Sequence, residues 1–482
     1  MKKVISLFLV STLCLFRCGP PESLFEGAVC IENITTVDPT DGLRPNQTVI
    51  IKDGKIFKIA PTTEIKLSPK NQIVDGNGKY LMPGLWDSHI HFAYIEELAP
   101  RMFDLFLLYG ITSVRDTGGR IEFVKEWKNR ALANPTDAPR VMIAGPLLDG
   151  MPNVYDGSDP GHPALSVGSG SVEAVAKHIQ RLDSIGVDFL KAYEMLTPDQ
   201  FMMVMKLAKE KGLKVTGHVP LSMDVISASN AGLNSMEHMR NLELSCASNA
   251  DELLLQRQVA LAKSKNISGG DLRSSIHAAQ RQLAVENYDE RKANVIIDVL
   301  AKNQTWQIPT LALNTGQTRL PYGQPEWLES FEYLPDTIRS QWKAALASAP
   351  SLTNFRMVYS KWLLDMAAKI HKAGIPMMAG TDTPIGFLTP GLSLHEELIV
   401  MVEAGLTPAD AIRAATLNPA KYFNLENELG SIKEGMWADL LILSANPLGN
   451  IRNTQRIEGV VKQGKYYDQA ALNEIRKRLR EQ

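Results

Sequence analysis

The chain has 482 residues, of which 44% are hydrophobic and 22% are charged, and its formal net charge is −2. This length exceeds what one hydrophobic core usually holds, so we expect two structural units in a globular protein of ordinary composition. A near-neutral chain without a dense basic segment is not expected to bind nucleic acid.

The first residues predict an export signal. A lysine pair precedes an apolar run over 4–16, which is too short to span a bilayer but suits the core of a signal peptide. Cys18 follows this run, so 1–18 resembles a bacterial lipoprotein signal in which Cys18 is lipidated and attaches the protein to a membrane. Arg17 departs from the small residue of that signal. We therefore expect an exported protein, either periplasmic or a membrane-anchored lipoprotein, with an uncleaved N-terminal anchor as the alternative.

Outside this segment the chain contains only two cysteines, Cys30 and Cys246, which lie far apart in the sequence. No Cys-x-x-Cys spacing is present. The sequence therefore predicts neither a disulfide framework nor a thiolate zinc site.

The two ends of the chain are rich in strand-like segments. Residues 24–80 contain apolar or alternating runs, and Asp53-Gly54 between two of them is a strong hairpin signal. Residues 430–467 have the same character. Two such ends around a long middle predict one small β-sandwich domain built from both, although two separate small sheets fit the sequence equally well.

The middle, 81–429, alternates strands with helices. Helices are predicted over 172–185 and 198–211, each followed by a short apolar strand. Repeated βα units predict a parallel sheet, and about eight of them predict a closed (β/α)8 barrel of the TIM type in an α/β protein. The seventh and eighth strands are predicted over 305–311 and 375–382.

Two helix-rich insertions interrupt this pattern, over 244–302 and 325–372. Both would lie at one rim of the barrel. A cap or lid over the site is one interpretation, and contacts in a homo-oligomer are the other.

Histidines at predicted strand ends indicate a metal site. His89 and His91 are two apart on one strand, so their side chains point to the same side. A pair alone would also fit an ordinary strand face, but further ligand-type residues follow at the ends of later strands, where a (β/α)8 barrel has its active site. The full set is His89, His91, Lys191, His218, His238 and Asp382. Four histidines in helical or inserted segments are interpreted as structural or surface residues: His178, His277, His371 and His395.

With these residues the chain resembles the amidohydrolase superfamily, in the group of imidazolonepropionase-like and prolidase-like enzymes. The matching segments cover nearly the whole mature chain in order: 83–91, 186–191, 217–218, 237–238, 379–382, 396–398, 404–408, 414–420 and 430–440. The resemblance implies a metal-dependent hydrolase of carbon–nitrogen bonds with two divalent metal ions, expected to be zinc.

The ligand roles follow from the residue types and from the resemblance. Neutral imidazoles ligate zinc-like ions, so His89, His91 and Asp382 would hold one ion, and His218 and His238 the other. The resemblance implies that Lys191 takes up carbon dioxide and that its carbamate bridges the two ions. Burial beside two cations would lower the pKa of the Lys191 amine and make it nucleophilic. An ordinary salt bridge at the rim, with a mononuclear site, is the alternative.

Two ions about 3.5–4 Å apart lower the pKa of a shared water to about 7, and the resulting hydroxide would attack a carbonyl carbon. Asp382 would take the proton and deliver it to the leaving nitrogen, unless it serves only as a ligand or as a turn residue. His162, Tyr193 and Arg240 could contact a substrate, and packing roles fit them equally well.

The expected substrate is a small-molecule amide, cyclic amide or dipeptide. The Lys191 segment favours a prolidase-like dipeptidase. An imidazolonepropionase-like cyclic amidase is the alternative within the same fold, and a non-catalytic exported binding protein is the alternative from another class.

Overall fold

The computed structural model describes residues 26–263, 266–349 and 351–481, so the predicted signal over 1–18, including Cys18, lies outside the described residues. The strands, numbered in chain order, are β1 (Val29–Asp38), β2 (Gly42–Lys52), β3 (Lys55–Pro61), β4 (Gln72–Asp75), β5 (Tyr80–Pro83), β6 (Leu85–Ile90), β7 (Ile111–Asp116), β8 (Arg140–Ile143), β9 (Leu147–Asp149), β10 (Ser166–Gly168), β11 (Phe189–Ala192), β12 (Lys214–Gly217), β13 (Ser235–Glu237), β14 (Trp306–Ile308), β15 (Leu440–Leu443), β16 (Ile457–Lys462) and β17 (Lys465–Tyr467).

The α-helices, also numbered in chain order, are α1 (Ala99–Leu108), α2 (Ile121–Ala133), α3 (Val172–Ile185), α4 (Pro198–Lys211), α5 (Val225–Asn230), α6 (Leu242–Ser245), α7 (Ala250–Lys263), α8 (Gly269–Glu286), α9 (Glu290–Asn303), α10 (Leu311–Arg319), α11 (Pro325–Phe331), α12 (Asp336–Ala347), α13 (Asn354–Lys372), α14 (Leu392–Glu403), α15 (Pro408–Ala414), α16 (Leu417–Tyr422) and α17 (Gln469–Glu481). Within the described ranges, none of these helices combines the length and the apolar character that crossing a bilayer requires.

The helices predicted over 172–185 and 198–211 are confirmed as α3 and α4. In α3 the buried residues Val175, Ile179 and Leu182 recur at intervals of four and three, which places them on one face of the helix. The Ser171 hydroxyl accepts the backbone N–H of Ala174 at the start of α3, so a side-chain cap defines where the helix begins.

An eight-stranded sheet contains strands from both ends of the chain. Its order is β17-β16-β15-β5-β1-β2-β3, with β4 paired to β1. The predicted hairpin at Asp53-Gly54 joins β2 to β3, and both turn residues have positive φ angles of 51° and 77°, as a type I′ turn requires. Because β15 pairs with β5, the alternative of two separate sheets is wrong. The second, facing layer of a β-sandwich stays a prediction.

The middle of the chain forms two parallel sheets, a three-stranded sheet (β6-β7-β8) and a six-stranded sheet (β10-β9-β11-β12-β13-β14). Helices follow most of these strands, so the protein is α/β with mixed sheets. A backbone bond of 2.9 Å from the N–H of Asp188 to the carbonyl of Ile143 lies between β8 and β11. The two parallel sheets are therefore neighbours along this edge.

The segment predicted as the eighth strand, 375–382, forms only isolated bridges. Within the segment Met377 pairs with Gln307 of β14, and directly after it Thr383 pairs with Ile90 of β6. Asp382 has a φ of 67°, and a residue in this left-handed region cannot continue an extended strand. The segment nevertheless lies between β14 and β6, where the eighth strand was expected.

Both predicted insertions are helical. The first contains half of α6, all of α7 and α8, and nearly all of α9; the second contains α11, α12 and α13. From the first insertion, α8 contributes the side chain of Arg273 to the cavity described below. Cys30 and Cys246 are both free and buried, in agreement with the absence of a predicted disulfide.

Candidate metal centre

A cavity of about 120 Å³ lies at the carboxyl ends of the parallel strands. His89 and Lys191 lie within β6 and β11, and His218 and His238 directly follow β12 and β13. The side chains that the sequence singled out as ligands all line this one cavity: His89, His91, Lys191, His218, His238 and Asp382.

His89, His91 and Asp382 form the tightest group in the cavity, and their potential ligand atoms all lie within 4.8 Å of one another. Oδ1 of Asp382 is 3.1 Å from Nε2 of His89 and also 3.1 Å from Nε2 of His91. The positive φ of Asp382 carries its carboxylate to this position, and such backbone geometry in a non-glycine residue is often found at functional sites. One cation could contact all three side chains.

His218 and His238 extend this group on the other side of Asp382. Their ring centroids are 4.8 Å apart, and the ring of His238 is also 4.8 Å from that of His89. Nε2 of His238 lies 3.6 Å from Oδ2 of Asp382. The carboxylate of Asp382 therefore has an imidazole nitrogen near each of its two oxygens.

Hydrogen bonds fix the orientation of His89 and His91. Nδ1 of His89 donates to Oε2 of Glu237 over 2.6 Å, and Nδ1 of His91 donates to the carbonyl oxygen of Gly118 over 2.9 Å. A carboxylate or a carbonyl can only accept, so the proton of each neutral imidazole resides on Nδ1. Nε2 then presents a lone pair to the cavity, as in histidines that bind metal.

Hydrogen bonds from Nδ1 also fix the orientation of His218 and His238. Nδ1 of His218 donates to Oε1 of Glu194 over 2.6 Å. Nδ1 of His238 lies 2.6 Å from the Thr310 hydroxyl, which itself donates to the carbonyl of Pro309 and is therefore free to accept. Burial lowers the pKa of both histidines well below the ordinary value, so both are neutral and able to ligate.

Lys191 is an unusual neighbour for four imidazoles because an ammonium group does not bind a cation. Its side chain is 1% exposed, and Nζ has no hydrogen-bond partner among the described residues. Burial lowers its pKa from 10.5 to about 8, although the carboxylates of Glu237 and Asp382 oppose this change. The uncharged amine form of Lys191 is therefore more populated near neutral pH than that of an ordinary lysine.

These donors fit a divalent cation. Asp382 is a carboxylate, because its pKa lies well below its usual range despite its burial. Its Oδ1 atom is buried and accepts no hydrogen bond from the described residues. Neutral imidazoles and a carboxylate with free lone pairs are a ligand set that zinc-like ions prefer.

The profile of the Amidohydrolase family matches residues 80–316 and 332–466, which is more than half of the chain. The chain belongs to the amidohydrolase family. It is therefore a hydrolase that acts on carbon–nitrogen bonds, in a family whose members depend on metal. The resemblance to imidazolonepropionase-like and prolidase-like amidohydrolases is confirmed.

Individual relatives cover nearly the whole chain. The imidazolonepropionase of Idiomarina loihiensis is 23% identical over 435 residues, which is 86% of this chain and 90% of that protein. The structure of a Xaa-Pro dipeptidase with bound methionine superposes with a TM-score of 0.66 and 18% identity, over 92% of this chain and 100% of that one. A prolidase complexed with N-methylphosphonate-L-proline gives a TM-score of 0.63 and 18% identity, over 92% and 99%. At these identities, the likeness to the two structures is one of fold.

Behind the imidazoles of this amidohydrolase lies a layer of buried charges. Glu237 is fully buried, and besides His89 it accepts hydrogen bonds from NH2 of Arg115, over 2.5 Å, and from the Thr216 hydroxyl. Arg115 is also fully buried and lies against the rings of Phe189 and Tyr422. This network joins β6, β7, β12 and β13 around one ligand.

A second carboxylate, Glu194, performs the same task for His218. It accepts from Nε of Arg273 over 2.9 Å and lies 2.6 Å from Nε2 of His277. Both partners belong to α8, so the inserted helix is tied to the cavity. His277, which the sequence assigned to the structural or surface histidines, is thus buried in the layer that supports the site.

Asp87 connects the two segments that carry His89 and Asp382. Its Oδ1 accepts the backbone N–H groups of His89, over 3.2 Å, and of Thr381, over 3.1 Å, and its Oδ2 accepts the Thr381 hydroxyl over 2.7 Å. Burial raises the pKa of Asp87 to about 7. The Asp87 side chain therefore holds β6 against the segment 379–382.

Of the three residues that the sequence suggested as substrate contacts, Tyr193 and Arg240 line the cavity. Tyr155 and Arg273 line it as well. His162 is not among the lining residues; its Nδ1 lies 2.9 Å from Asp159 in an exposed loop. Glu194, Glu237 and Arg273 were missed by the sequence reasoning. A carboxylate at the end of a short predicted strand of the barrel, as in Glu237 of β13, was the signal that a buried partner existed.

Proposed function

We propose that the protein is a prolidase-like dipeptidase that hydrolyses the amide bond of dipeptides or N-acyl amino acids at a binuclear metal site. The observation that supports this proposal is the convergence of four imidazoles, Asp382 and Lys191 on one cavity, with the lone pair of every imidazole directed inward.

In this proposal His89, His91 and Asp382 would hold one divalent cation, expected to be zinc, and His218 and His238 the other. Lys191, carboxylated on Nζ, would bridge the two. Its buried, unpartnered and partly uncharged amine supports this assignment because only an uncharged amine can add to carbon dioxide. Two bound cations supply a water of lowered pKa and polarise the carbonyl oxygen of the substrate.

The side chains of the protein perform the remaining tasks. Asp382 is ionised beside the reacting centre, so it accepts a proton from the attacking water and returns it to the leaving nitrogen. Arg240 has an Nε atom without a hydrogen-bond partner among the described residues, and it faces the same cavity as Tyr193. These two residues are suited to bind the carboxylate of the amino acid that leaves.

The second candidate is an imidazolonepropionase-like cyclic amidase. It is favoured by the relative from Idiomarina loihiensis, which matches over most of both chains. A ring amide without a carboxylate on its leaving side would not use Arg240. Arg240 lines the cavity and its Nε has no hydrogen-bond partner among the described residues, although it lies 3.7 Å from Glu194. This residue is the reason for preferring a dipeptide-like substrate.

We also infer that the parallel strands close into a (β/α)8 barrel over 81–429 and that the two ends form one small β domain. Backbone bonds on both sides of the segment 375–382 support closure, from the N–H of Met378 to the carbonyl of Gln307 and from the N–H of Ser88 to the carbonyl of Ala379, each 2.9 Å long. Export and lipidation at Cys18 stay predictions. They can be examined by locating the full-length protein in cell fractions and by mass spectrometry of its mature N-terminus.

The function is tested by assaying the purified protein with Xaa-Pro dipeptides, other dipeptides, N-acyl amino acids and ring amides. We expect turnover of substrates that carry a free carboxylate on the leaving side, and loss of turnover with retained fold in Asp382→Asn. Hydrolysis of ring amides without any dipeptide turnover would favour the cyclic amidase. Metal analysis, together with mass spectrometry of intact protein for a carbon dioxide adduct on Lys191, tests the binuclear site.

A further inference from the structure

A second and larger cavity, of about 350 Å³, lies beside the candidate metal centre. Helices α8, α10 and α13 form its walls. Leu313 lines this cavity and also lines the cavity of the metal centre. We name it the outer cavity; it is lined by Arg281, Leu313, Gln317, Phe355, Arg356 and Tyr359, among others.

The N-terminal turn of α10 borders both cavities. Thr310, which accepts the hydrogen bond of His238, directly precedes α10, and the Asn314 side-chain amide donates to the Thr310 hydroxyl over 3.1 Å. Leu313 lies between these two residues. A substrate held at the metal centre would therefore reach the outer cavity by passing the side chain of Leu313.

The lining of the outer cavity is polar and cationic. It includes two arginines and, among the described residues, no acidic side chain. Nε of Arg281 donates to Glu243 over 3.2 Å, but its NH2 group is buried and has no hydrogen-bond partner among the described residues. The guanidinium lies 5.1 Å from the ring centroid of Tyr359, which stacks on Phe355. An arginine with an unpartnered NH2 group and an aromatic pair therefore line the same cavity.

The buried charges around α8 carry an excess of positive charge. The arginine side chains there are 21% exposed or less, and among the described residues two buried carboxylates form ion pairs with three of these four arginines. The four cations are Arg240, Arg257, Arg273 and Arg281, and the two anions are Glu194 and Glu243. Burying unbalanced charge is costly, so an anionic ligand would stabilise this region.

Two guanidinium groups in this region have nitrogens without partners, and they face different cavities. Arg240 faces the metal centre, where it is suited to the carboxylate on the leaving side of the substrate. Arg281 faces the outer cavity. If the leaving side is bound at Arg240, the acyl side of the same substrate is the part that extends past Leu313.

We infer that the outer cavity binds the acyl side of the substrate and selects a carboxylate there, so that the preferred substrates are dipeptide-like amides with an acidic residue on the acyl side. This inference rests on the proposed function. The NH2 group of Arg281 donates to that carboxylate, Arg356 adds positive charge at the exposed rim, and Phe355 and Tyr359 contact the methylene groups of the acidic side chain.

The test compares isosteric substrates that differ only in charge, Glu-Pro with Gln-Pro and Asp-Pro with Asn-Pro. We expect kcat/KM to be at least about 10-fold higher for one acidic dipeptide than for its amide, because a charge-assisted hydrogen bond replaces a neutral one. Arg281→Gln is expected to abolish this preference, and Arg356→Gln to reduce it, through a lower kcat/KM for the acidic dipeptide. Arg291→Gln is the matched control, since Arg291 is 95% exposed and does not line the outer cavity.

Equal kcat/KM for acidic and amide substrates would overturn the inference and leave the dipeptidase assignment intact. A preference that survives in both Arg281→Gln and Arg356→Gln would also overturn it. If Arg281→Gln does not fold, the wild-type comparison and the exposed Arg356→Gln variant still decide. If wild-type protein cleaves no dipeptide, the proposed function fails, and calorimetric titration of wild-type protein with Glu-Pro and Gln-Pro decides on the outer cavity separately. Tighter binding of Glu-Pro supports the inference, and equal binding overturns it.

Discussion

Glu237 is the residue whose replacement by glutamine tests most directly how the metal centre is supported. Glu237→Gln keeps the shape of the side chain but removes its charge. Arg115, which is fully buried and donates to Glu237 over 2.5 Å, would lose its only ionic partner within the described residues. His89 would lose the carboxylate that fixes the proton on Nδ1. The change therefore acts on stability and on metal binding at once.

The magnitude follows from the burial of the pair. Both side chains of the Arg115–Glu237 pair are 0% exposed, and removing one partner of such a pair costs about 3–5 kcal/mol because the other charge is left uncompensated. The NH1 group of Arg115 already has no partner among the described residues, so no neighbouring acceptor replaces Glu237. Loss of the hydrogen bond behind a ligating histidine typically lowers metal affinity by about 10–100-fold.

The stability loss is measured by urea unfolding of metal-free protein, and the affinity loss by competition with a zinc chelator. Glu126→Gln is the matched control because the Glu126–Arg130 pair has the same atoms and the same separation of 2.5 Å but lies on the surface, with both side chains 53% exposed. A surface pair contributes about 0–1 kcal/mol. If Glu237→Gln destabilises the protein no more than Glu126→Gln, the argument from burial is wrong.

Three further predictions concern catalysis, metal content and pH. Asp382→Asn should keep the circular dichroism spectrum and lower kcat by about 10²–10⁴-fold, since it removes the proton acceptor; unchanged kcat would contradict the role of Asp382. Removal of metal by a chelator should lower the melting temperature, and readded zinc should restore it, because a cation at 100-fold its Kd stabilises the folded state by roughly 3 kcal/mol; equal melting curves would contradict a bound cation. Burial raises the pKa of Glu397 from 4.5 to about 8. Between pH 4.5 and about pH 8, Glu397 therefore keeps its proton in the folded protein and releases it in the unfolded chain. The stability of the wild type should therefore fall as pH rises from about 5 to 8, by at most roughly 5 kcal/mol, relative to Glu397→Gln; parallel pH profiles in urea unfolding would contradict this pKa.

The strand-end residues could be found from the sequence because one rule locates them. Side chains that end parallel strands meet at the same edge, so His89, Lys191, His218 and His238 could be selected without knowledge of their contacts. The helices α3 and α4 were predictable for a similar reason, since apolar spacing and a capping residue are both local signals.

The supporting layer could not be predicted because its partners are distant in sequence. Arg115 and Glu237 are separated by 122 positions, and Glu194 and His277 by 83. No local pattern reports such pairs, and α8 lies in an insertion whose position over the site depends on tertiary packing. The predicted eighth strand ends at Asp382 in a left-handed φ, and composition does not reveal such a φ at an aspartate.

The ligands His89 and His218 are supported by different parts of the fold. His89 is held through Glu237 by residues of four adjacent strands, so its orientation depends on the sheet itself. His218 is held through Glu194 by Arg273 and His277 of α8, which belongs to an insertion. Because the same helix carries Arg281 into the outer cavity, any displacement of α8 would change the support of one ligand and the substrate cavity together. Among the described residues the hydrogen bonds of Glu237 do not involve α8, so the support of His89 does not depend directly on this helix.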